Sequence, residues 1–108
     1  MSEWDANSLS ESYERIADEA WRYCEEIKGK LSRTSSYEGV YDEHMAKYYV
    51  YNYLHDKTFL HSKETLVKEL SAMLSHTQKP MKCFDPSVFE KNRIDYIKYE
   101  IARLTSDG

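Results

Sequence analysis

The sequence has few of the residues that break a chain into short segments. Its 108 residues include only three glycines and two prolines, and the glycines are scattered singly. Proteins built from many short strands depend heavily on these two residue types for their turns. The scarcity of glycine and proline therefore predicts a few long helices rather than many strands.

Long hydrophobic runs are also missing. No stretch approaches the roughly 18 uninterrupted apolar residues that a membrane-spanning helix needs. The first residues, Met1 to Asp5, are acidic and lack the apolar core of a secretory signal. We therefore expect a cytoplasmic protein that does not enter membranes. The two cysteines, Cys24 and Cys83, fit a reduced pair, although a disulfide stays open because sequence does not show whether their Cα atoms are close.

Patterns that carry catalysis or bind metals are absent as well. The chain has no glycine-rich phosphate loop and no G-x-S-x-G motif. Its four histidines are not paired with second ligands at the spacing of structural zinc sites, and no Glu-x-x-His pattern of a dimetal site occurs. These histidines are His44, His55, His61 and His76. The sequence therefore predicts no catalytic residues, no cofactor and no metal.

Tyrosine, by contrast, is abundant, and five of the ten tyrosines lie between Val40 and Leu54. On a helix this stretch places apolar or aromatic side chains on nearly every face, and such a helix is normally buried among neighbours. A strand over Tyr48 to Leu54 is the competing interpretation, because the segment is rich in β-forming residues. A strand would need partner strands, and no other segment offers one. We therefore predict a helix.

Capping motifs and periodicity place the first two helices. Helix 1 runs from about Ser8, which can form a capping box with Glu11, to Leu31. Helix 2 runs from about Ser36 to His55. Apolar side chains recur along helix 1 at steps of three and four, which predicts one buried stripe. The stripe is Leu9, Tyr13, Ile16, Ala17, Ala20, Cys24, Ile27 and Leu31.

The second half of the chain shows two further helices. Helix 3 begins after the N-cap residue Ser62 and ends near His76. Helix 4 begins with Asp85 as N-cap and Pro86 at its first position, and ends near Leu104. Its predicted core stripe starts with Val88 and Phe89 and continues with Ile94, Ile97, Ile101 and Leu104.

These elements predict an all-α fold, a single-domain bundle of about four helices over residues 1–108. Residues 1–7 and 105–108 are expected to be loosely ordered tails. No internal repeat or low-complexity segment contradicts this organisation.

Charge and aromatic content together indicate what kind of partner the chain binds. Residues 1–26 carry eight acidic and two basic side chains, which argues against binding a nucleic-acid backbone. Tyrosine and tryptophan are enriched at protein contact surfaces. We predict a non-enzymatic protein–protein interaction module, such as an adaptor, inhibitor or regulatory subunit of phage or virus origin, whose partner has a basic patch. The candidate partner-binding residues are Glu14, Asp18, Glu19, Trp21, Glu25, Glu26, Tyr48, Tyr49 and Tyr53.

Two other functions stay open at this point. One is a helix-turn-helix DNA-binding regulator, with Ser62–His76 as recognition helix and Lys63 and Lys68 near its start. This helix carries no arginine, and its turn lacks glycine. The other is a small enzyme or metal protein. A homodimer through the aromatic helix is compatible with each of these functions.

Overall fold

The computed structural model describes residues 6–30, 36–58, 62–75 and 83–106, and these residues form four helices and no strand. The helices are α1 (Ala6–Lys28), α2 (Ser36–Thr58), α3 (Lys63–Leu74) and α4 (Pro86–Thr105). The predicted all-α bundle of four helices is confirmed, and the strand alternative is wrong because Tyr48 to Leu54 lies within α2. Within the described ranges, no helix combines the length and apolar character needed to cross a bilayer.

The helix ends differ from the predicted ends by a few residues. α1 begins at Ala6, so Ser8 lies in its first turn rather than at the N-cap. α2 continues past His55 to Thr58, into the predicted connection to the third helix. α1 and α4 take up Ala6, Asn7 and Thr105 of the predicted tails. Differences of this size are usual at helix termini, where single hydrogen bonds decide the boundary. Leu31, His61, His76 and the segment Met1 to Asp5, all named above, lie outside the described ranges.

α2 is the central helix and packs against each of the other three. Among its described residues only Gly39 and Asp56 are exposed, and Gly39 has no side chain. Fully burying one large apolar side chain stabilises a fold by about 1.5–3 kcal/mol. A helix that is apolar on nearly every face therefore gains most at the centre of the bundle, as predicted.

Two apolar clusters fill the space between the helices. The larger cluster joins all four helices, and its buried members are Tyr13, Ala17, Val50, Tyr51, Leu54, Leu66, Leu70, Ile97 and Leu104. The second joins α1, α2 and α4 through Cys24, Ile27, Tyr41, Met45, Ala46 and Phe89. The stripe predicted for α1 supplies the buried side of that helix in both clusters, as far as the described residues extend.

Two predicted N-caps are present. The Ser62 hydroxyl accepts a hydrogen bond from the backbone N–H of Thr65 at 3.2 Å. Asp85 accepts one from the N–H of Ser87 at 3.0 Å, and Pro86 follows at the first position of α4. Each cap satisfies one of the backbone donors that a helix start leaves without a partner.

Asp42 joins α2 to the segment before α4. Its side chain is fully buried, and its two carboxylate oxygens accept hydrogen bonds from the backbone N–H groups of Phe84 and Asp85, each at 2.7 Å. Hydrogen bonds to a charged acceptor are about twice as strong as neutral ones. This contact therefore sets where α4 starts relative to α2.

The buried line of α4 differs from the predicted stripe. Ile94 and Ile101 are only half-buried. The buried residues are Phe89, Arg93, Ile97, Glu100 and Leu104, which follow one another at steps of three and four. Two charged residues thus take core positions, because both have partners within the bundle.

Arg93 ties α4 to α3 although its side chain is only 1% exposed. Its guanidinium donates two hydrogen bonds to the Glu90 carboxylate, at 2.6 and 2.8 Å, and a third to the carbonyl of Met73 at 3.1 Å. The Met73 carbonyl belongs to the last turn of α3, where helix carbonyls lack intrahelical donors. The hydrogen bonds from Arg93 also lower the pKa of Glu90. A buried charge is tolerated here because it is paired and fully bonded.

Substitution of Asp42 by Asn tests this link between α2 and α4. We expect Asp42→Asn to lower the free energy of unfolding by about 1–3 kcal/mol, because the amide nitrogen is a donor facing a backbone donor. Glu43→Gln, on the next residue and half-exposed, is the matched control and should change stability by less than about 0.5 kcal/mol. Urea unfolding followed by circular dichroism measures both. Equal stability of the two variants would contradict the assignment.

Candidate functional site

Aromatic side chains of α1 and α2 meet in one patch. The ring centroids of Trp21 and Tyr48 are 5.0 Å apart, those of Tyr48 and Tyr49 are 5.8 Å apart, and Tyr49 contacts Phe89 of α4 at 5.5 Å. Trp21, Tyr48 and Tyr49 are each half-buried, so part of every ring packs inward and part faces solvent. With Tyr53, one turn beyond Tyr49, they are called the aromatic surface below.

A cleft opens beside the aromatic surface, between α2, α3 and α4. Its volume is about 210 Å³. It lies along the part of α2 that faces α3, the helix against which α2 packs least. The lining residues are Tyr49, Val50, Asn52, Tyr53, Asp56, Met73 and Arg93. Two members of the aromatic surface thus form one wall of the cleft.

Tyr53 connects this wall of the cleft to α3. Its hydroxyl donates a hydrogen bond to Glu69 at 3.3 Å, and the ammonium of Lys57 lies 5.8 Å from its ring centroid. Burial raises the pKa of the Tyr53 phenol, and the nearby Glu69 carboxylate raises it further. The phenol therefore stays neutral at physiological pH and acts as a hydrogen-bond donor.

Three of the five predicted acidic residues of α1 share one edge with Trp21. Glu14, Asp18 and Glu25 are exposed, and with Trp21 they follow the spacing i, i+4, i+7 and i+11, which keeps side chains in line on a helix. Glu14 lies 3.5 Å from the Nε2 atom of His55 on α2. These three acids, the near acidic edge, therefore border the aromatic surface.

The other two predicted acids lie elsewhere on α1. Glu19 and Glu26 are exposed and seven residues apart, so they form a second line, the far acidic edge. At 100° per residue it lies about 120° around the helix from the near edge. Arg15 and Arg22 are exposed between the two edges. The structure thus brings together seven of the nine predicted residues and separates Glu19 and Glu26 from them.

The described histidines make contacts within the bundle. His55 Nδ1 lies 3.0 Å from the Ser10 hydroxyl, and His44 Nδ1 lies 2.9 Å from the carbonyl of Val40 while its ring stacks on Tyr23. Within residues 6–30, 36–58, 62–75 and 83–106, no three His, Cys, Asp or Glu side chains are grouped closely enough to hold a metal ion.

Both cysteines are free thiols. Cys24 is buried in the second apolar cluster, as predicted from its place on the α1 stripe, and burial raises its pKa to about 11. Cys83 is half-buried against the same cluster, and burial raises its pKa too, assisted by Asp42 and Asp85. Because the thiolate is the nucleophile, raised pKa values make both thiols poor nucleophiles at neutral pH.

A buried polar cluster joins α1, α2 and α4. The Glu100 side chain is 2% exposed, and its carboxylate accepts hydrogen bonds from the hydroxyls of Tyr13 at 2.9 Å and Tyr51 at 2.7 Å. Arg103 donates to the same carboxylate and to the Tyr13 oxygen, each at 2.8 Å. Burial raises the pKa of both phenols far above the usual 10.0, and the Glu100 carboxylate adds to the shift.

Sequence reasoning assigned no role to Glu100, although one signal was present. Glu100 lies three residues after Ile97 and four before Leu104, so it stands on the apolar stripe of α4. An acid at such a position, in a chain with many tyrosine hydroxyls, indicates a buried acceptor. Which of the ten tyrosines would reach it depends on helix packing, which the sequence does not show.

α3 offers little to a nucleic acid. Leu66 and Leu70 are buried, and the exposed charged residues of this helix are Glu64, Lys68 and Glu69. Two acids against one base do not attract phosphates. The interpretation of Ser62–His76 as a recognition helix therefore stays a sequence-based hypothesis.

Comparison with protein-family models, with curated proteins and with solved structures finds no match for this chain. A functional hypothesis therefore depends on the aromatic surface, the cleft beside it and the charges around them.

The buried polar cluster should dominate the response of the bundle to loss of a hydroxyl group. We expect Tyr51→Phe to lower the free energy of unfolding by about 1–3 kcal/mol, because Glu100 loses a donor that water cannot replace. Tyr99→Phe, on a residue that is 61% exposed, is the matched control and should be nearly neutral. Chemical denaturation at pH 7 compares the two. A neutral Tyr51→Phe variant would refute the stabilising role of the cluster.

The raised phenol pKa values also predict how stability changes at high pH. Above about pH 10 the unfolded chain loses phenolic protons that the folded protein keeps, so the stability of the wild type falls as pH rises. Tyr51→Phe removes one such phenol. The stability difference between wild type and variant should stay constant below about pH 9 and shrink by about 1.4 kcal/mol per pH unit above pH 10. If the stabilities of the wild type and the variant fell in parallel above pH 10, the raised pKa assigned to Tyr51 would be contradicted.

Proposed function

We propose that this chain is a non-enzymatic protein-binding module that docks a partner on its aromatic surface. The observation that supports the proposal is the contact of Trp21 with Tyr48 and Tyr49, which spreads half-buried rings from two helices over one continuous patch. Large, rigid aromatic side chains supply much contact area at a small entropic cost and dominate the energy of many interfaces.

The charges around the patch indicate the chemistry of the partner. The near acidic edge places three carboxylates beside Trp21. Among the described residues, Glu25 lies 3.5 Å from the Lys28 ammonium and Glu14 lies 3.5 Å from His55 Nε2. An acidic border favours a partner with a basic patch and speeds its encounter with the docking surface. Exposed pairs of this kind are screened by salt. Binding should therefore weaken as ionic strength rises.

The use of the buried charges supports a binding role rather than a catalytic one. Asp42 and Glu100 accept hydrogen bonds that connect helices, and Arg93 pairs with Glu90. Catalytic groups must reach a substrate, whereas these three residues are buried and occupied by contacts within the fold.

Regulatory binding without chemistry is typical of adaptors, inhibitors and regulatory subunits, and an accessory protein of a phage or virus fits the proposal. We place the protein in the cytoplasm under this proposal, because both cysteines are free thiols and thiols stay reduced there. A second copy of the chain is the alternative partner. Ultracentrifugation at several concentrations would detect such a dimer.

Site-specific photocrosslinking tests the location of the docking surface. Benzoylphenylalanine placed at Tyr53 should give a discrete crosslinked partner in the cells that naturally contain the protein. The same group at Tyr99, on α4 and more exposed than Tyr53, is the matched control and should not. Adducts of equal yield from both positions, or none from Tyr53, would overturn the proposed surface.

Charge variants of α1 test whether the near acidic edge contributes to binding. The binding partner is the protein identified by crosslinking. The double variant Asp18→Asn, Glu25→Gln should weaken binding by about 0.2–1 kcal/mol per charge and reduce its salt dependence. Glu19→Gln, Glu26→Gln removes the same number of charges from the far acidic edge and should have little effect. Titration calorimetry at two salt concentrations measures both. An equal loss in the two variants would mean that general attraction, and not this edge, acts on the partner.

A further inference from the structure

The cleft beside the aromatic surface contains polar groups that have no partner among the described residues. Asn52, Asp56 and Tyr49 are among the residues that line the cleft, and none of their polar side-chain atoms takes part in a hydrogen bond or ion pair within residues 6–30, 36–58, 62–75 and 83–106. Small binding sites commonly combine an apolar wall with a few such converging polar groups.

The size of the cleft limits what can enter it. Its volume of about 210 Å³ is below the range of about 300–1,000 Å³ that holds a drug-sized ligand. A single extended side chain is the size of occupant that suits this space. The rings of Tyr49 and Tyr53 form one wall, and Met73 of α3 lies on the same lining.

The charges around the cleft favour a cation. Arg93 is part of the lining, but its charge is compensated by two hydrogen bonds to Glu90. Asp56 is exposed and has no ion-pair partner in the part of the chain that the structure describes, and Glu69 accepts a hydrogen bond from the Tyr53 hydroxyl. Lys57 is the one basic neighbour on α2, with its ammonium 5.8 Å from the Tyr53 ring.

We propose that this cleft receives one lysine or arginine side chain of the partner protein, held by the carboxylate of Asp56 and by the rings of Tyr49 and Tyr53. A cation within about 6 Å of a tyrosine ring is attracted by the negative face of the ring. The chain already places cations in this way, with Lys47 at 6.0 Å from Tyr96 and Lys57 over Tyr53. The inference rests on the proposed function, because it names the group that the partner inserts.

A pair of small probes tests the cleft without the partner. N-acetyl-arginine amide and N-acetyl-citrulline amide have nearly the same shape, but only the first carries a charge. In two-dimensional NMR titrations the arginine probe should shift the signals of Tyr49, Asn52 and Tyr53 in a saturable way. The citrulline probe should bind about two- to fivefold more weakly, the factor that one exposed cation–π contact provides. A lysine probe with norleucine as neutral control shows which of the two cations is preferred.

Two neighbouring substitutions should change probe affinity in opposite directions. Asp56→Asn should weaken binding of the arginine probe by about two- to fivefold, because an exposed carboxylate partner is lost. Lys57→Met should strengthen it, because the competing ammonium is removed from Tyr53. Glu19→Gln on the far acidic edge is the control for overall charge and should leave the affinity unchanged.

Equal shifts with arginine and citrulline, or no localised shifts with arginine, would overturn the cleft proposal. Weakening by Glu19→Gln as large as that by Asp56→Asn would overturn it as well, because it would indicate general attraction. These results are independent of the crosslinking experiment. If Tyr53 crosslinks a partner but the arginine probe does not bind in the cleft, the protein-binding role is retained and only the cation site is refuted.

Discussion

The rest of the structure depends on one constraint: α2 has no polar face to turn toward water. Such a helix is stable only where neighbours cover it. α1 packs against α2 and has the same length, 23 residues, whereas α3 has only 12 residues. At 1.5 Å per residue these helices are about 35 Å and 18 Å long, so α3 is about half as long as α2 and packs against it least. The aromatic surface and its cleft lie next to this shorter cover, where tyrosine rings remain partly open.

The core contains buried charges because it uses tyrosine where leucine or phenylalanine would need no hydrogen-bond partner. A buried hydroxyl needs an acceptor, and Glu100 provides one oxygen for Tyr13 and another for Tyr51. The carboxylate in turn needs a counter-charge, which Arg103 supplies from the surface. Replacing such a group by apolar residues is often neutral for stability. The cluster also fixes geometry, because the hydrogen bonds of Tyr13 and Tyr51 to Glu100, and that of Arg103 to Tyr13, cross between helices and restrict how α4 can rotate against α1 and α2.

The architecture was predictable from the sequence because it depends on local patterns. Periodic apolar residues mark α1, the N-caps Ser62 and Asp85 mark the starts of α3 and α4, and the tyrosine-rich stretch marks the central helix. The burial of the charged residues was not predictable, because it depends on partners from other parts of the chain: Tyr13 and Glu100 are 87 residues apart, and Arg93 and the Met73 carbonyl are 20 residues apart. The division of the acids on α1 into two edges follows from helix geometry alone. Which edge lies beside Tyr48 follows only from the packing of α1 on α2, where Trp21 makes the contact.

Acidic side chains and aromatic rings on one surface act on different stages of binding. Charges at a rim mainly change the rate of association, since they attract an oppositely charged partner before contact and are weakened by salt. Buried aromatic anchors mainly change the rate of dissociation, because their contacts must be broken before the partner leaves. The far acidic edge shares the charge of the near edge but has no part in the aromatic surface. Under the proposed function it would therefore contribute to encounter but not to retention, which would make Trp21 and its tyrosine neighbours, rather than the acidity of α1, the source of specificity.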